Sequence, residues 1–188
     1  MRPILAGGAR AGLRAAERML HRLRRRRAQA LVARRAPVRC MAVLCYGNIC
    51  RSPYAAAVLQ RMLVRRGVLC QVSQGGFLGP DRPANDRARE VARARGTDLS
   101  EHRSRLVTAE EARTVDLVVV MEAYQARKIV AEFGADPGRV LVLGDLDPEP
   151  VVSRAIPDPY GLDNEVFIRT YERIDRCVAE LTRLIDVR

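Results

Sequence analysis

The chain has 188 residues and a formal net charge of +11; 48% of its residues are hydrophobic and 29% are charged. This length fits one ordinary domain with a short additional segment, and the composition excludes fibrous and low-complexity proteins. Aromatic residues make up only 4%, which argues against an RNA-binding surface of stacked bases, since such a surface needs exposed rings. The longest strongly apolar stretch, residues 117–121, is far shorter than the roughly 18 residues that cross a bilayer.

The positive charge is concentrated at the N-terminus. Residues 1–39 contain 12 Arg and one acidic residue, Glu17, whereas the remainder contains 21 basic and 21 acidic residues. The sequence therefore predicts a basic N-terminal extension over residues 1–37 and a neutral domain over residues 38–188. No specific nucleic-acid partner is expected, because the high pI belongs to the extension and not to the domain.

The extension has a helical pattern. Its apolar residues at helical spacing are Leu13, Ala16, Leu20 and Leu23, with arginines on the other faces. This pattern predicts a basic amphipathic helix over residues 12–35 that is isolated from the domain, or else a disordered segment. Three roles stay open: a dispensable tail, an anchor that binds an anionic membrane or acidic partner through residues 1–36, and a targeting segment.

The cysteines do not form a disulfide or metal-binding pattern. There are five of them, Cys40, Cys45, Cys50, Cys70 and Cys177. Their odd number, with no secretory signal before Arg10, predicts free thiols in a reducing cytoplasm. No Cys-x-x-Cys pair occurs, and only His21 and His102 could supply imidazole ligands, so neither a metal nor another cofactor is expected.

From residue 38 onward, strand and helix patterns alternate. Strands are predicted over residues 38–45, 68–73, 116–121 and 140–143. Helices are predicted over residues 52–66, 84–95, 108–113, 123–133 and 164–187. This alternation predicts an α/β fold, a small doubly wound four-stranded parallel sheet flanked by helices, preceded by the Arg-rich extension. Ligands of such sheets bind beyond the carboxyl ends of the strands, and Cys45 ends the first predicted strand.

The segment Cys45–Ser52 reads Cys-Tyr-Gly-Asn-Ile-Cys-Arg-Ser and joins the first predicted strand to the first predicted helix. Backbone N–H groups at such a turn, together with the helix dipole, attract anions. Gly47 and Asn48 tolerate the positive φ that a tight cradle needs. The planar guanidinium of Arg51 can bind two phosphate oxygens.

The same turn predicts a nucleophile. The local positive potential favours the thiolate of Cys45 over its thiol, and Ser52 can donate a hydrogen bond to that thiolate. A thiolate beneath a bound tetrahedral oxyanion can attack it in line, so we expect phosphoryl transfer to Cys45 followed by hydrolysis. Ser52 is also predicted to cap the helix, with Pro53 in the first turn.

The departing group of such a reaction needs a proton, which a carboxylic acid on a loop can supply. Three Asp-Pro pairs are candidates, and each is also a good turn former. Asp136 leads through Pro-Gly directly into a strand, and Asp147 has no aromatic residue beside it. Asp158 is followed by Tyr160, whose ring can wall a pocket for an aryl phosphate, so Asp158 is the predicted proton donor.

These residues resemble those of the low-molecular-weight protein tyrosine phosphatases. The loop Cys45–Ser52 matches the signature of that family, and the similarity extends through residues 96–104, 116–121 and 158–161. It covers about residues 38–188 and leaves the extension without a counterpart. The resemblance implies hydrolysis of phosphotyrosine in proteins through a phosphocysteine intermediate, on four parallel strands flanked by helices.

The resemblance also implies the role of each residue in the loop. Cys45 is the nucleophile, Arg51 holds the phosphate and Asp158 is the general acid. The rest of the phosphate-binding loop is Tyr46, Gly47, Asn48, Ile49, Cys50 and Ser52, of which Asn48 braces the loop and Ser52 stabilises the leaving thiolate. Cys50 either packs beneath the loop or forms a reversible disulfide with Cys45, and the resemblance favours the disulfide.

Some features leave the substrate open. Related protein-arginine phosphatases carry Thr where this chain has Ile49, and related arsenate reductases need further cysteines that this chain does not place suitably, so phosphotyrosine is preferred. The predicted pocket walls are Tyr160 and Phe77. Phe77 is the single aromatic residue within residues 74–80, where the sequence departs from the family pattern. A catalytically weak binding protein anchored by its tail is the other alternative.

Deleting residues 1–36 is expected to leave hydrolysis of small aryl phosphates nearly unchanged.

Overall fold

The computed structural model describes residues 6–185, with side chains from residue 17 onward. The strands are β1 (Cys40–Leu44), β2 (Gln71–Gly75), β3 (Leu117–Val120) and β4 (Val140–Val142). The helices are α1 (Ala6–Arg34), α2 (Arg51–Arg65), α3 (Asp86–Ala94), α4 (Ala109–Thr114), α5 (Ala123–Phe133) and α6 (Asn164–Ile185). Two 3-10 turns, Pro137–Arg139 and Leu143–Leu146, lie on either side of β4.

The strands form one parallel sheet in the order β2-β1-β3-β4. The four-stranded parallel sheet predicted from the alternating pattern is therefore confirmed. β3 is buried along its whole length, as expected for a strand with helices over both faces. The chain leaves β1 toward β2 on one side and returns with β3 on the other, so the strand order reverses between β1 and β3. Parallel sheets bind ligands at such a point.

Each face of the sheet has its own apolar core. On one face, Met41, Val43 and Val119 pack in a cluster with α2, α6 and the buried part of α1. On the opposite face, Leu44 and Val120 pack in a second cluster with α4 and α5. The alternation of side chains along each strand divides the residues between the two clusters.

Several predicted boundaries are displaced by local hydrogen bonds. β2 begins at Gln71 and not at residue 68, because Val68 N still donates to Leu63 O at 3.0 Å in the turn that ends α2. α3 begins at Asp86, where the Asn85 side chain accepts hydrogen bonds from the first turn. Ser52 was predicted as a cap, but it lies within α2 after the N-cap Cys50. The predicted last helix reaches residue 187, which lies outside the described residues.

The basic extension is attached to the domain. α1 buries Ala28 and Val32 completely or nearly so, and Arg25 and Gln29 donate hydrogen bonds to Glu180 of α6 at 2.7 and 2.9 Å. The prediction of an isolated or disordered segment is therefore wrong for this part of the extension. None of the described helices is long and apolar enough to cross a membrane.

The described half of the apolar stripe predicted for this helix lies outside the packed face. Leu20 and Leu23 are each 46% exposed, and the side chains of Leu13 and Ala16 lie outside the described residues. The packed face instead carries His21, Ala28, Leu31 and Val32, on the side of the core formed by α6 and the turn Leu143–Leu146. The spacing of Leu13, Leu20 and Leu23 does not reveal the packed face of α1, because that face depends on shape and hydrogen bonding.

Val32 tests the attachment of the extension. Val32→Ala removes methyl groups from a side chain that is fully buried, so we expect the free energy of unfolding to fall by about 1–2 kcal/mol. Met19→Ala, on the same helix but at a side chain that is 67% exposed, is the control and should change it by less than about 0.5 kcal/mol. Equal effects in urea unfolding would show that α1 does not pack on the domain in solution.

Candidate active site

The loop between β1 and α2 lies where the strand order reverses, at the carboxyl edge of the sheet. Cys45 follows β1 directly and is 2% exposed. It opens into a cavity that is lined by Cys45, Tyr46, Gly47, Ile49, Cys50, Leu78, Arg82, Asp158 and Tyr160. The cavity thus brings together residues from the predicted phosphate-binding loop, the loop after β2 and the loop before α6.

Asn48 holds the phosphate-binding loop in shape. Its φ of 51° is positive, as the sequence predicts for a tight cradle. Its side chain donates to Ser52 Oγ at 2.9 Å and to Gln74, and accepts from the backbone N–H of Arg105 at 2.9 Å. His102 Nε2 donates to the Asn48 carbonyl at 2.7 Å, and burial lowers the pKa of His102. His102 therefore acts here as a neutral structural residue.

The two cysteines of the loop have different surroundings. Ser52 Oγ lies 3.1 Å from Cys45 Sγ, with the geometry of a hydrogen bond to sulfur. Burial, reinforced by the neighbouring Cys45, raises the pKa of Cys50 to about 12. Cys50 is consequently a thiol at neutral pH, while the hydroxyl of Ser52 can stabilise negative charge on Cys45.

Arg51 is a fully buried cation at the start of α2. Its Nη1 atom donates to Glu122 at 2.7 Å and to the Ile156 carbonyl at 2.9 Å, and its Nη2 atom donates to Asp158 at 2.5 Å. Burial lowers the pKa of Arg51, but the neighbouring Cys45 and Asp158 outweigh this effect, and the pKa is raised. Its Nε–H is buried without a partner among the described residues, so this donor remains for an oxyanion.

The structure separates the three Asp-Pro candidates. Asp136 accepts a hydrogen bond from Gly138 N at 2.8 Å and forms an ion pair with Arg35. Asp147 is fully buried and forms an ion pair with Arg173 at 3.0 Å, away from the cavity. Asp158 lines the cavity, and its side chain is 42% exposed. Of the three, Asp158 alone lies where it can exchange a proton with a ligand above Cys45.

The structure places one of the two predicted pocket walls at the cavity and the other away from it. Tyr160 lines the cavity and is 63% exposed. Phe77 does not line it: its ring packs edge-on against Phe133, with centroids 5.7 Å apart, in the core on the α4–α5 side of the sheet. The next residue, Leu78, lines the cavity instead, because the Phe77 ring is packed in the core beside Phe133.

Two charged residues at the site were not predicted from the sequence. Glu122 lies two residues after β3 and forms an ion pair with Arg51. The rule that ligands bind beyond strand ends, which pointed to Cys45, would also have found Glu122. Arg82 donates from Nη2 to the carbonyls of Gly47 and Leu78, both at 2.7 Å. Nothing in the sequence signals Arg82, since it reaches the loop from a distant turn.

The comparison with known proteins agrees with this geometry. A family model described as low molecular weight phosphotyrosine protein phosphatase matches residues 40–187. The chain belongs to this family. It is 34% identical over 141 residues to the probable low molecular weight protein-tyrosine-phosphatase EpsP of Ralstonia nicotianae, which covers 75% of this chain and 92% of the relative.

Solved structures show the same fold. The tyrosine phosphatase Wzb from Escherichia coli K30, in complex with sulphate, matches with a TM-score of 0.69 and 28% identity over 78% of this chain and 97% of that chain. The YwlE arginine phosphatase from Geobacillus stearothermophilus matches with a TM-score of 0.67 and 26% identity over 77% and 90%. The family match confirms the predicted fold and the predicted cysteine-dependent protein-tyrosine-phosphatase activity, and it leaves residues 1–39 outside the matched region.

Gly76 tests how tightly the loop of this phosphatase is supported. A Cβ at this position would lie 2.8 Å from the Tyr46 carbonyl and 2.9 Å from Asn48 N, so Gly76→Ala must displace the loop. We expect kcat/KM for an aryl phosphate to fall about 10- to 100-fold. Gly75→Ala is the matched control, because its Cβ would meet Leu44 Cδ2, Val107 N and Arg105 O at ordinary contact distances of 3.4, 3.5 and 3.6 Å. Equal activity of the two variants would contradict this account of the loop.

Proposed function

We propose that Cys45, Arg51 and Asp158 carry out the hydrolysis of phosphotyrosyl proteins by this phosphatase. In the first step, the phosphate oxygens accept hydrogen bonds from the loop and from Arg51 Nε–H. The Cys45 thiolate forms a bond to phosphorus, the bond from phosphorus to the aryl oxygen breaks, and Asp158 gives its proton to the departing oxygen. In the second step, Asp158 takes a proton from water, which attacks the phosphocysteine and releases phosphate and the Cys45 thiolate.

One observation carries this proposal. The buried guanidinium of Arg51, which has one unpartnered donor among the described residues, forms an ion pair with Asp158, and Asp158 lines the cavity into which Cys45 opens. The ion pair between Arg51 and Asp158 places the acid within reach of a bound phosphate. Ser52, hydrogen-bonded to Cys45, stabilises the thiolate as it leaves, which makes the second step easier.

The lining of the cavity favours phosphotyrosine over phosphoarginine. Ile49 and Leu78 offer apolar surface, and Tyr160 offers a ring, to an aryl group. Ile49 has no hydroxyl that could accept a hydrogen bond from a guanidinium phosphate. A comparison of phosphotyrosyl and phosphoarginyl peptides separates the two substrates, and faster hydrolysis of the phosphoarginyl peptide would overturn this preference.

Cys50 is the proposed redox partner of Cys45. Both thiols are buried and border one cavity. Peroxide oxidises the Cys45 thiolate to a sulfenic acid, and the Cys50 sulfur then displaces water to form a disulfide that thiols can reduce. Without Cys50, further peroxide oxidises the sulfenic acid to the sulfinic and sulfonic acids, which thiols do not reduce. Cys50→Ser should therefore make inactivation by excess hydrogen peroxide irreversible by dithiothreitol. Full recovery of that variant would contradict the proposed role.

The proposed location is the cytoplasm, where the outer face of α1 binds anionic lipid. All five cysteines are free thiols, as is typical of a reducing compartment. Opposite its buried face, α1 exposes Met19 by 67% and Leu23 by 46%, beside the exposed Arg22 and Arg26. Such a face can bind an anionic bilayer, because the lipid headgroups attract the arginines and the acyl region buries the apolar side chains. A second copy of this face would repel it.

Asp158 is tested by varying the leaving group. Asp158→Ala should lower kcat/KM for phenyl phosphate about 100-fold, but should affect 4-nitrophenyl phosphate much less, because 4-nitrophenolate leaves without a proton. Cys45→Ser should abolish turnover of both and still bind vanadate. An equal loss of Asp158→Ala activity across a series of aryl phosphates would show that Asp158 is not the proton donor.

The lipid-binding face is tested by reversing one charge. Arg26→Glu should weaken cosedimentation with phosphatidylserine-containing vesicles about tenfold, since each arginine near such a surface contributes about 1 kcal/mol. Arg93→Glu, an exposed position on α3, makes the same change of net charge elsewhere and should have little effect. Equal weakening by both variants, or equal binding of the protein to phosphatidylcholine vesicles, would contradict the proposal.

A further inference from the structure

The extension touches the chain segment that leads to the general acid. His21, on α1, is 6% exposed, and its Nε2 atom lies 3.0 Å from the carbonyl oxygen of Asp147. A carbonyl only accepts hydrogen bonds, so Nε2 carries the proton and donates it to this bond. Asp147 is the first residue after the turn Leu143–Leu146 and opens the loop on which Asp158 lies.

Asp147 is in turn tied to the middle of that loop. Its buried carboxylate forms an ion pair with Arg173 of α6 at 3.0 Å. The same guanidinium donates to the carbonyls of Ser153 and Ala155, both at 2.7 Å. Arg173 thus links the start of the loop to residues that lie only three to five positions before Asp158.

The rest of the loop is fixed from the other side. Ile156 N donates to the Met121 carbonyl at 3.0 Å, and the Ile156 carbonyl accepts from Arg51 at 2.9 Å. Gly144 lies so close to the Arg154 carbonyl that no larger residue fits there. The loop therefore has two anchors, one at the catalytic arginine and one at Asp147, and the second is held by the extension.

We propose that His21 is a positioning residue for Asp158, so that the extension is part of the catalytic apparatus although it lies outside the family domain. This inference rests on the proposed role of Asp158. Proton transfer needs a heavy-atom distance of about 2.6–3.2 Å, and a small displacement of the acid costs rate steeply. Loss of the His21 hydrogen bond leaves a buried carbonyl without its donor, and the loop relaxes to satisfy it.

The consequence is an effect that depends on the leaving group. For a substrate whose leaving group needs no proton, kcat/KM stays nearly unchanged when the extension is removed. This narrows the expectation from the sequence, which covered all small aryl phosphates. For a substrate with a basic leaving group, such as phosphotyrosine, removal of residues 1–36 lowers kcat/KM. A merely structural role for the extension would lower the activity toward both substrates alike.

The full-length protein provides the test, with kcat/KM measured for phenyl phosphate and for 4-nitrophenyl phosphate. His21→Ala should lose about fivefold with phenyl phosphate, a small part of the 100-fold or more that general acids supply, and less than about twofold with 4-nitrophenyl phosphate. His21→Gln keeps an N–H donor and should recover most of the loss. Gln29→Ala breaks a bond of the same helix to α6 and is the control, which should match the wild type with both substrates.

A double-mutant cycle with Asp158→Ala completes the test. In that background, His21→Ala should cause no further loss with phenyl phosphate, because an acid that is missing cannot be misplaced. Equal losses with both substrates, no loss in His21→Ala, or an additive loss in the double variant would each overturn the inference while leaving the role of Asp158 intact. If Asp158→Ala itself shows no dependence on the leaving group, the proposed acid fails, and the inference fails with it.

Discussion

The fully buried charge of Arg51 is the constraint on which the rest of the site depends. A buried cation is costly unless it is paired and hydrogen-bonded. Glu122, Asp158 and the Ile156 carbonyl meet this requirement from two other segments of the chain. The same contacts bring the proposed acid to the cavity and leave one donor of Arg51 for the substrate. The contacts that stabilise the buried charge of Arg51 are thus the same contacts that assemble the site.

The sheet makes this pairing feasible. Because β1 and β3 are parallel neighbours, their carboxyl ends lie side by side. The residues that follow the two strands are therefore close in space. Cys45 follows one strand and Glu122 follows close after the other. From the opposite side, Tyr171 of α6 donates to the Cys50 carbonyl at 2.9 Å and stacks on Tyr54 of α2, with ring centroids 3.8 Å apart. The loop is therefore held by the sheet below and by two helices beside it.

The extension divides its side chains between two environments. The face that carries His21, Ala28 and Val32 packs on the domain, and the opposite face carries Met19 and Leu23 among arginines. Packing on the domain fixes the direction of the outer face, so that the outer face and the contact with the loop before Asp158 belong to one helix. A flexible tail of the same charge would bind anions without any contact to the catalytic loop.

The sequence alone determined the elements that depend on local chemistry. It predicted the parallel sheet, the nucleophilic loop, the positive φ of Asn48 and the preference for Asp158, because residue spacing and turn chemistry act over a few residues. Tertiary structure decided what depends on shape across the fold. Leu78 and not Phe77 lines the cavity, Arg82 and Glu122 reach the site from distant segments, and α1 packs through His21 and Val32 and not through Leu20 and Leu23. Such contacts join residues that are distant in the sequence, 35 positions apart for Arg82 and Gly47 and 126 for His21 and Asp147, and the periodicity of the sequence does not reveal them.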